Sequence, residues 1–203
     1  MKTLLKSIKI TLAFCVLFSV CYIFVLWLFA RIAGPNGGEP EVVVQNGQIV
    51  GASHIGQRFT KNTYFWGRPS LAGNGYNASS SGGSNKGPTN SEYLAEVNAR
   101  IDTFLMHHPY VSRKEVPAEM VTASASGLDP DITPACAYVQ IKRIAMARSL
   151  KESDIKDMVD LLIRKPLLGL WGTETVNVLN LNIALDQLSN KHSSKHIKDE
   201  QGR

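Results

Sequence analysis

The pattern of apolar and polar positions divides the chain before any motif is considered. Residues 10–30 carry no charged side chain, and Lys9 and Arg31 close the run. About 21 helical residues at ~1.5 Å each reach ~31 Å, close to the hydrocarbon thickness of a bilayer. A lone span must satisfy its own backbone, so the pattern predicts a transmembrane helix. Lys2, Lys6 and Lys9 precede it, whereas Arg31 is followed by no further cation until Arg58. The positive-inside rule then places the N-terminus in the cytoplasm and the rest of the chain outside. No A-x-A-like site follows Ala30, which favours an uncleaved anchor over a signal peptide. Within the span Ser7, Thr11, Cys15 and Ser19 recur at every fourth position, a stripe of small or weakly polar residues against which another span can pack. Phe14, Phe18, Phe24 and Leu28 are expected mostly elsewhere on the helix.

Beyond the span the periodicities shorten. Residues 34–40 form a Gly/Pro linker. Val42–Gln45 and Gln48–Gly51 flank Asn46-Gly47, a hairpin signal, because both turn residues must take positive φ. Residues 71–90 are rich in Gly, Ser and Asn and read as a flexible, disordered linker by composition. Thr89 as N-cap with Glu92 reaching back predicts a capping box. Leu94, Val97, Ile101, Phe104 and Leu105 then predict a helix over 90–107. Thr133 with Pro134 opens a helix to about Ser149, a further helix runs from Ser153 or Asp154 to about Ile163, and Leu167–Gly172 reads as an apolar connection or short strand. Asn177 caps a last helix lined by Val178, Leu181, Leu185 and Leu188. The expected organisation is a cytoplasmic N-terminus (1–9), a transmembrane helix (10–30), a linker (31–40), one domain (41–189) and a polar disordered tail (190–203). The fold class is α+β, with one transmembrane helix followed by a single mixed α/β extracytoplasmic domain.

Composition narrows the chemistry. The net charge of +5 over 203 residues is concentrated at the two ends, so it does not describe a nucleic-acid surface. Cys15 and Cys21 lie in the span, which leaves Cys136 alone in the domain as a small core residue and rules out a disulfide framework there. His107 and His108, just before Pro109, are expected to serve the helix end and its dipole. His192 and His196 fall in the expected tail. Asp129 and Asp131 are too few carboxylates for a cation site. Ser124 or Ser126 with Asp129 and a histidine could make an anchored envelope hydrolase, but no G-x-S-x-G elbow supports it. Ser81-Gly82-Gly83-Ser84-Asn85 matches the Ser-Gly-Gly core of ABC-transporter signatures only weakly, and no Walker loop is present.

Taken in order, Gly51–Phe59, Tyr64-Phe65-Trp66-Gly67-Arg68-Pro69-Ser70, Tyr76-Asn77, Ser81–Asn85, Val121–Asp129 with Ser124, Ser126 and Gly127, Ile132–Pro134, Gln140–Arg148, and Val176–Asp186 with Asn177 and Asn182 resemble the C-subunit family of the bacterial Kdp potassium-transporting P-type ATPases. The resemblance covers nearly the whole chain apart from its tail, and departs at His54 and Cys136. It implies a non-catalytic accessory subunit of the bacterial inner membrane, without a tightly bound cofactor. The implied partners are a channel-like potassium-binding subunit, a P-type ATPase subunit and a small single-span subunit. It also implies a catalytic chaperone that raises ATP affinity, with ATP bound only transiently and Gln140 linked to nucleotide. The lysine pattern opposes direct contact, since it puts Gln140 outside the cell.

Overall fold

The computed structural model describes residues 2–201, with side chains through His192. It divides near Val42 into two units. The first is a helical run, α1, Lys2–Ala33, the one described helix long and apolar enough to cross a membrane. It extends the expected 10–30 span at both ends. Leu17–Tyr22 within it winds as a π-helix, where Ser19 Oγ donates to the Cys15 carbonyl. Gly34 leaves the helical region at φ −74°, ψ 147°, and Pro35–Gly38 makes a tight turn with Asn36 and Gly37 at positive φ.

The second unit is mixed α/β with few strands. β1 (Val42–Gln45) and β2 (Gln48–Ala52) form the expected hairpin, with Asn46 and Gly47 at φ 51° and 77°. α2 spans Ser91–His107. β3 (Asp131–Ile132) pairs antiparallel with β4 (Val176–Asn177), Asp131 opposite Asn177. α3 (Pro134–Tyr138), α4 (Ile141–Arg148) and α5 (Glu152–Leu162) lie between those strands, and α6 (Val178–Gln201) follows. The core gathers Phe65, Phe104, Ile132, Ile144, Ile155, Val159, Leu181 and Leu185. Apolar positions at helical spacing on α4, α5 and α6 thus close over one aromatic residue of the irregular segment before Gly67.

Local chemistry departs from the sequence reading at several points. The N-cap of α2 is Asn90, not Thr89: its side chain accepts from the Tyr93 amide at 2.9 Å, while Glu92 pairs with Lys86 at 2.8 Å. A capping box exists instead at Ser112 and Glu115. The helix from Pro134 is interrupted at Val139–Gln140, and Thr133 Oγ1 donates to Cys136 Sγ at 3.2 Å rather than capping backbone. Asn177 does cap α6, accepting from the Asn180 amide at 3.1 Å. That helix runs through residues 190–201, where the pattern suggests a polar tail. His192 pairs with Asp154 at 3.1 Å, and the His196 side chain lies outside the described residues.

Candidate functional site

The segment 61–70 is extended and irregular, so its backbone groups need partners from elsewhere. They come from polar side chains on α4, on α6 and at the break between α3 and α4. Asn182 on α6 takes the Phe65 amide at 2.8 Å and donates to its carbonyl at 3.0 Å. Gln140, between α3 and α4, does the same for Trp66 at 2.8 and 3.1 Å. Each amide side chain acts as a one-residue strand. Arg143 donates to the Asn62 and Tyr64 carbonyls at 2.5 and 3.0 Å, and Arg148 to the Thr63 carbonyl at 2.6 Å. Arg143 also stacks over the Trp66 ring at 4.2 Å and Arg148 over Tyr64 at 4.6 Å. Asp186 receives the Tyr64 hydroxyl at 3.1 Å and pairs with Arg148 at 2.8 Å.

Gln140 is fully buried. Its Oε1 also accepts from Arg143 Nη2 at 2.8 Å, and its Nε2 also donates to the Cys136 carbonyl at 2.9 Å. Two donors and two acceptors are an amide's whole capacity, so every hydrogen bond that Gln140 can make is used inside the domain.

Behind Trp66, His108 is fully buried and stacks on Phe104 at 3.9 Å. Its Nδ1 lies 2.8 Å from the Phe104 carbonyl, and its Nε2 accepts from Arg143 Nε at 2.9 Å. Nδ1 therefore carries the proton and the ring is neutral. Burial pushes its pKa down to about 4; the Phe104 hydrogen bond offsets part of that and the Arg143 charge adds to it. A neutral imidazole does not serve the helix dipole as a cation, which corrects the expectation for His108. Burial likewise brings the Arg143 guanidinium down to about 10. Cys136 is the expected core residue, its thiol pushed up to about 11 by burial.

In front of Trp66, a cleft of about 390 Å³ is lined by Arg58, Trp66, Gly67, Arg68, Pro69, Ser70, Tyr76 and His107, among others. Arg68 pairs with Asp129 at 3.1 Å, and its Nε is buried without a hydrogen-bond partner. Tyr76 donates to the Arg68 carbonyl at 2.6 Å, and its phenol is pushed up to about 12, first by burial and then by the Asp129 charge. Ser70 Oγ donates to the Gly127 carbonyl at 2.5 Å and accepts from the Tyr76 amide at 2.6 Å.

The Gly/Ser loop is tied to the 124–129 turn, against the disorder expected from composition. Ser81 Oγ and the Gly82 amide both donate to the Ser126 carbonyl at 2.9 Å. Gly127, at φ 67°, is required there, since a Cβ would sit 2.7 Å from the Ala72 nitrogen. Gly83 lies against Ala125. Asn77 bonds the Ser79 amide and hydroxyl at 3.0 and 2.7 Å. Ser84 is half-buried, and Asn85 is exposed at positive φ. Ser124 accepts from the Gly127 amide at 2.9 Å and Ser126 from the Leu128 amide at 3.1 Å, so both hydroxyls build the turn. Among the described residues no group of three or more His, Cys, Asp or Glu side chains is gathered for a metal. The arrangement is suited to holding a shape and binding at a cationic, aromatic cleft.

On α1, Thr11, Cys15 and Ser19 do share one shallow groove, with Ile10, Phe14 and Phe18. Phe14 and Phe18 stack at 5.8 Å and wall this stripe rather than lying elsewhere. Ser7 precedes the groove, its hydroxyl donating to the Thr3 carbonyl at 3.1 Å.

The sequence reading missed Arg143, Arg148 and His108 as one network. The available signal was two arginines among the apolar positions of Ile141–Arg148.

Comparison with known proteins agrees with the motif order. The family described as KdpC, K+-transporting ATPase c chain, matches residues 4–187. A potassium-transporting ATPase KdpC subunit from Bacteroides thetaiotaomicron is 70% identical over 187 residues, 92% of this chain and 99% of that protein. One from Bacteroides fragilis is 70% identical over 191 residues, 94% of this chain and all of that protein. One from Flavobacterium johnsoniae is 50% identical over 188 residues, 93% of this chain and all of that protein.

Proposed function

The chain belongs to the KdpC family of K+-transporting ATPase subunits, and from that premise we propose that it is a non-catalytic accessory subunit of an ATP-driven potassium uptake complex in the bacterial inner membrane. Its span packs through the Thr11/Cys15/Ser19 groove, with Ser7 continuing the stripe, against a channel-like potassium-binding subunit. Its domain stands outside the cytoplasm, where the cleft beside Trp66 and Arg68 meets that subunit. A P-type ATPase subunit does the chemistry, and a small single-span subunit completes the assembly.

The observation that carries this reading is the state of Gln140. A buried amide with all four hydrogen bonds used supports a role in bracing Trp66, not in holding nucleotide. Any rise in the ATP affinity of the ATPase subunit then comes from stabilising the arrangement of the complex that binds ATP better. ATP is a transient visitor to the complex and not a resident cofactor of this chain.

The test keeps residues 1–42 and removes the domain. High-affinity potassium uptake should be lost and the complex should dissociate more readily in detergent. Undiminished uptake overturns the proposal.

A further inference from the structure

Between α5 and β4 the chain makes a second, smaller hairpin that the accessory role does not use. Arg164 and Thr175 pair across its base, and Leu167 and Trp171 across its tip. The tip is apolar and open: Leu167, Leu168, Leu170 and Trp171 are 69%, 80%, 75% and 62% exposed. Leu168 sits at φ 53°, followed by Gly169 at 71°. A leucine in the left-handed region is strained, and exposing it to water adds to the cost. Such outliers are retained where the surroundings use them. The charges stay on the shoulders, with Arg164 held by Asp131, Lys165 exposed beside it, and Glu174 on the returning arm.

Leucines and a tryptophan at a tip, with cations just behind, match the apolar-to-headgroup gradient of a membrane interface. Residues 34–42 join the apolar span to the domain, a reach of ~30 Å at most at ~3.5 Å per residue. A domain so tethered cannot leave the neighbourhood of the bilayer. We propose that residues 166–171 are an interfacial anchor, with Leu168, Leu170 and Trp171 inserted at the headgroup–acyl boundary and Lys165 at the phosphates. The proposal rests on the reading of Lys2–Ala33 as a membrane span. The anchor would fix the domain's tilt on the membrane, so that its cleft is presented to a partner in one orientation.

The test is nitroxide accessibility in the full chain, reconstituted in phosphatidylethanolamine/phosphatidylglycerol vesicles. Leu168→Cys carries the label, with Cys15 and Cys21 replaced by Ser and buried Cys136 left in place. The expected result is a label reached by oxygen well above an aqueous nickel chelate, while a label at Asn74→Cys shows the reverse. Adding Leu170→Asp and Trp171→Ser should return the Leu168→Cys label to the nickel-accessible state. A label at native Cys15, with Cys21 replaced by Ser, reports the span separately. If Cys15 is lipid-buried and position 168 is aqueous, the anchor is overturned and the span stands. If Cys15 is itself nickel-accessible, the premise falls and the proposal with it. If position 168 is shielded from both reagents, and only when the other subunits are present, a protein surface covers the tip and the lipid assignment is overturned.

Discussion

Gln140 and Trp66 exchange two hydrogen bonds, the Trp66 amide to Oε1 at 2.8 Å and Nε2 to the Trp66 carbonyl at 3.1 Å. A side chain thereby does for one residue what a neighbouring strand does for many. Asn182 repeats the device one residue earlier, at Phe65. The corner is rigid because it is pinned from α6 and from the α3–α4 break at once.

Gln140→Leu keeps apolar bulk but strands the Trp66 amide and carbonyl, the Cys136 carbonyl and one donor of Arg143. Unmet buried groups cost ~1–3 kcal/mol each, partly relieved by relaxation. The full chain should lose about 3 kcal/mol in urea denaturation followed by tryptophan fluorescence. A loss below about 1 kcal/mol would show that the bracing is incidental.

Arg143→Lys keeps the charge and removes the fork. One ammonium cannot reach His108 Nε2, two carbonyls and Gln140 Oε1 together, nor stack over Trp66 as a guanidinium does. The substitution should destabilise the chain by about 2 kcal/mol, with faster proteolysis within residues 61–70. Wild-type stability would mean that charge alone is what the site needs.

His108 gives the domain an acid-side weakness. Its folded pKa of about 4 lies below the ordinary 6.5, so the unfolded chain takes up the proton first. The contribution of the neutral ring is complete above about pH 6.5 and is lost as the pH falls toward 4. At ~1.4 kcal/mol per pH unit, this one group removes about 3 kcal/mol. Denaturation midpoints measured from pH 7 to 4 should fall more steeply for wild type than for His108→Asn. Parallel profiles would contradict the assignment.

Cys136 is buried with its thiol raised to about 11, so it should resist maleimide at pH 7.5 in the folded chain and react fully in denaturant. Mass spectrometry reads both states. The Cys136 thiol donates to Glu119 at 3.3 Å and accepts from Thr133 at 3.2 Å, and rapid native labelling would show that these surroundings open readily.

The legible parts of the fold were those whose causes are local. Asn46-Gly47 dictates its own hairpin through two positive φ values, and Asn177 caps α6 with its own side chain. The start of α2 was misplaced by one residue because threonine and asparagine both cap, and Glu92 was drawn off by Lys86. The break at Val139–Gln140 was not legible, since Gln140 is recruited by Trp66, 74 positions away. The Gly/Ser loop looked unstructured because the carbonyl that orders it, at Ser126, lies 45 positions from Ser81. His108 looked like a helix-end cation because nothing near it in sequence announces Arg143, 35 positions later. The candidate site was thus visible as a set of motifs, but not as a network.

The proposal that any effect of this subunit on ATP use is indirect requires the domain to lie outside the cytoplasm. Asn74→Cys, on an exposed loop position, in a Cys15→Ser, Cys21→Ser background of the assembled complex, can be treated with a membrane-impermeant thiol reagent in spheroplasts. Labelling before lysis is the expected result. Labelling only after lysis would contradict the proposal, place the cleft and Gln140 on the nucleotide side, and make direct ATP contact the leading mechanism.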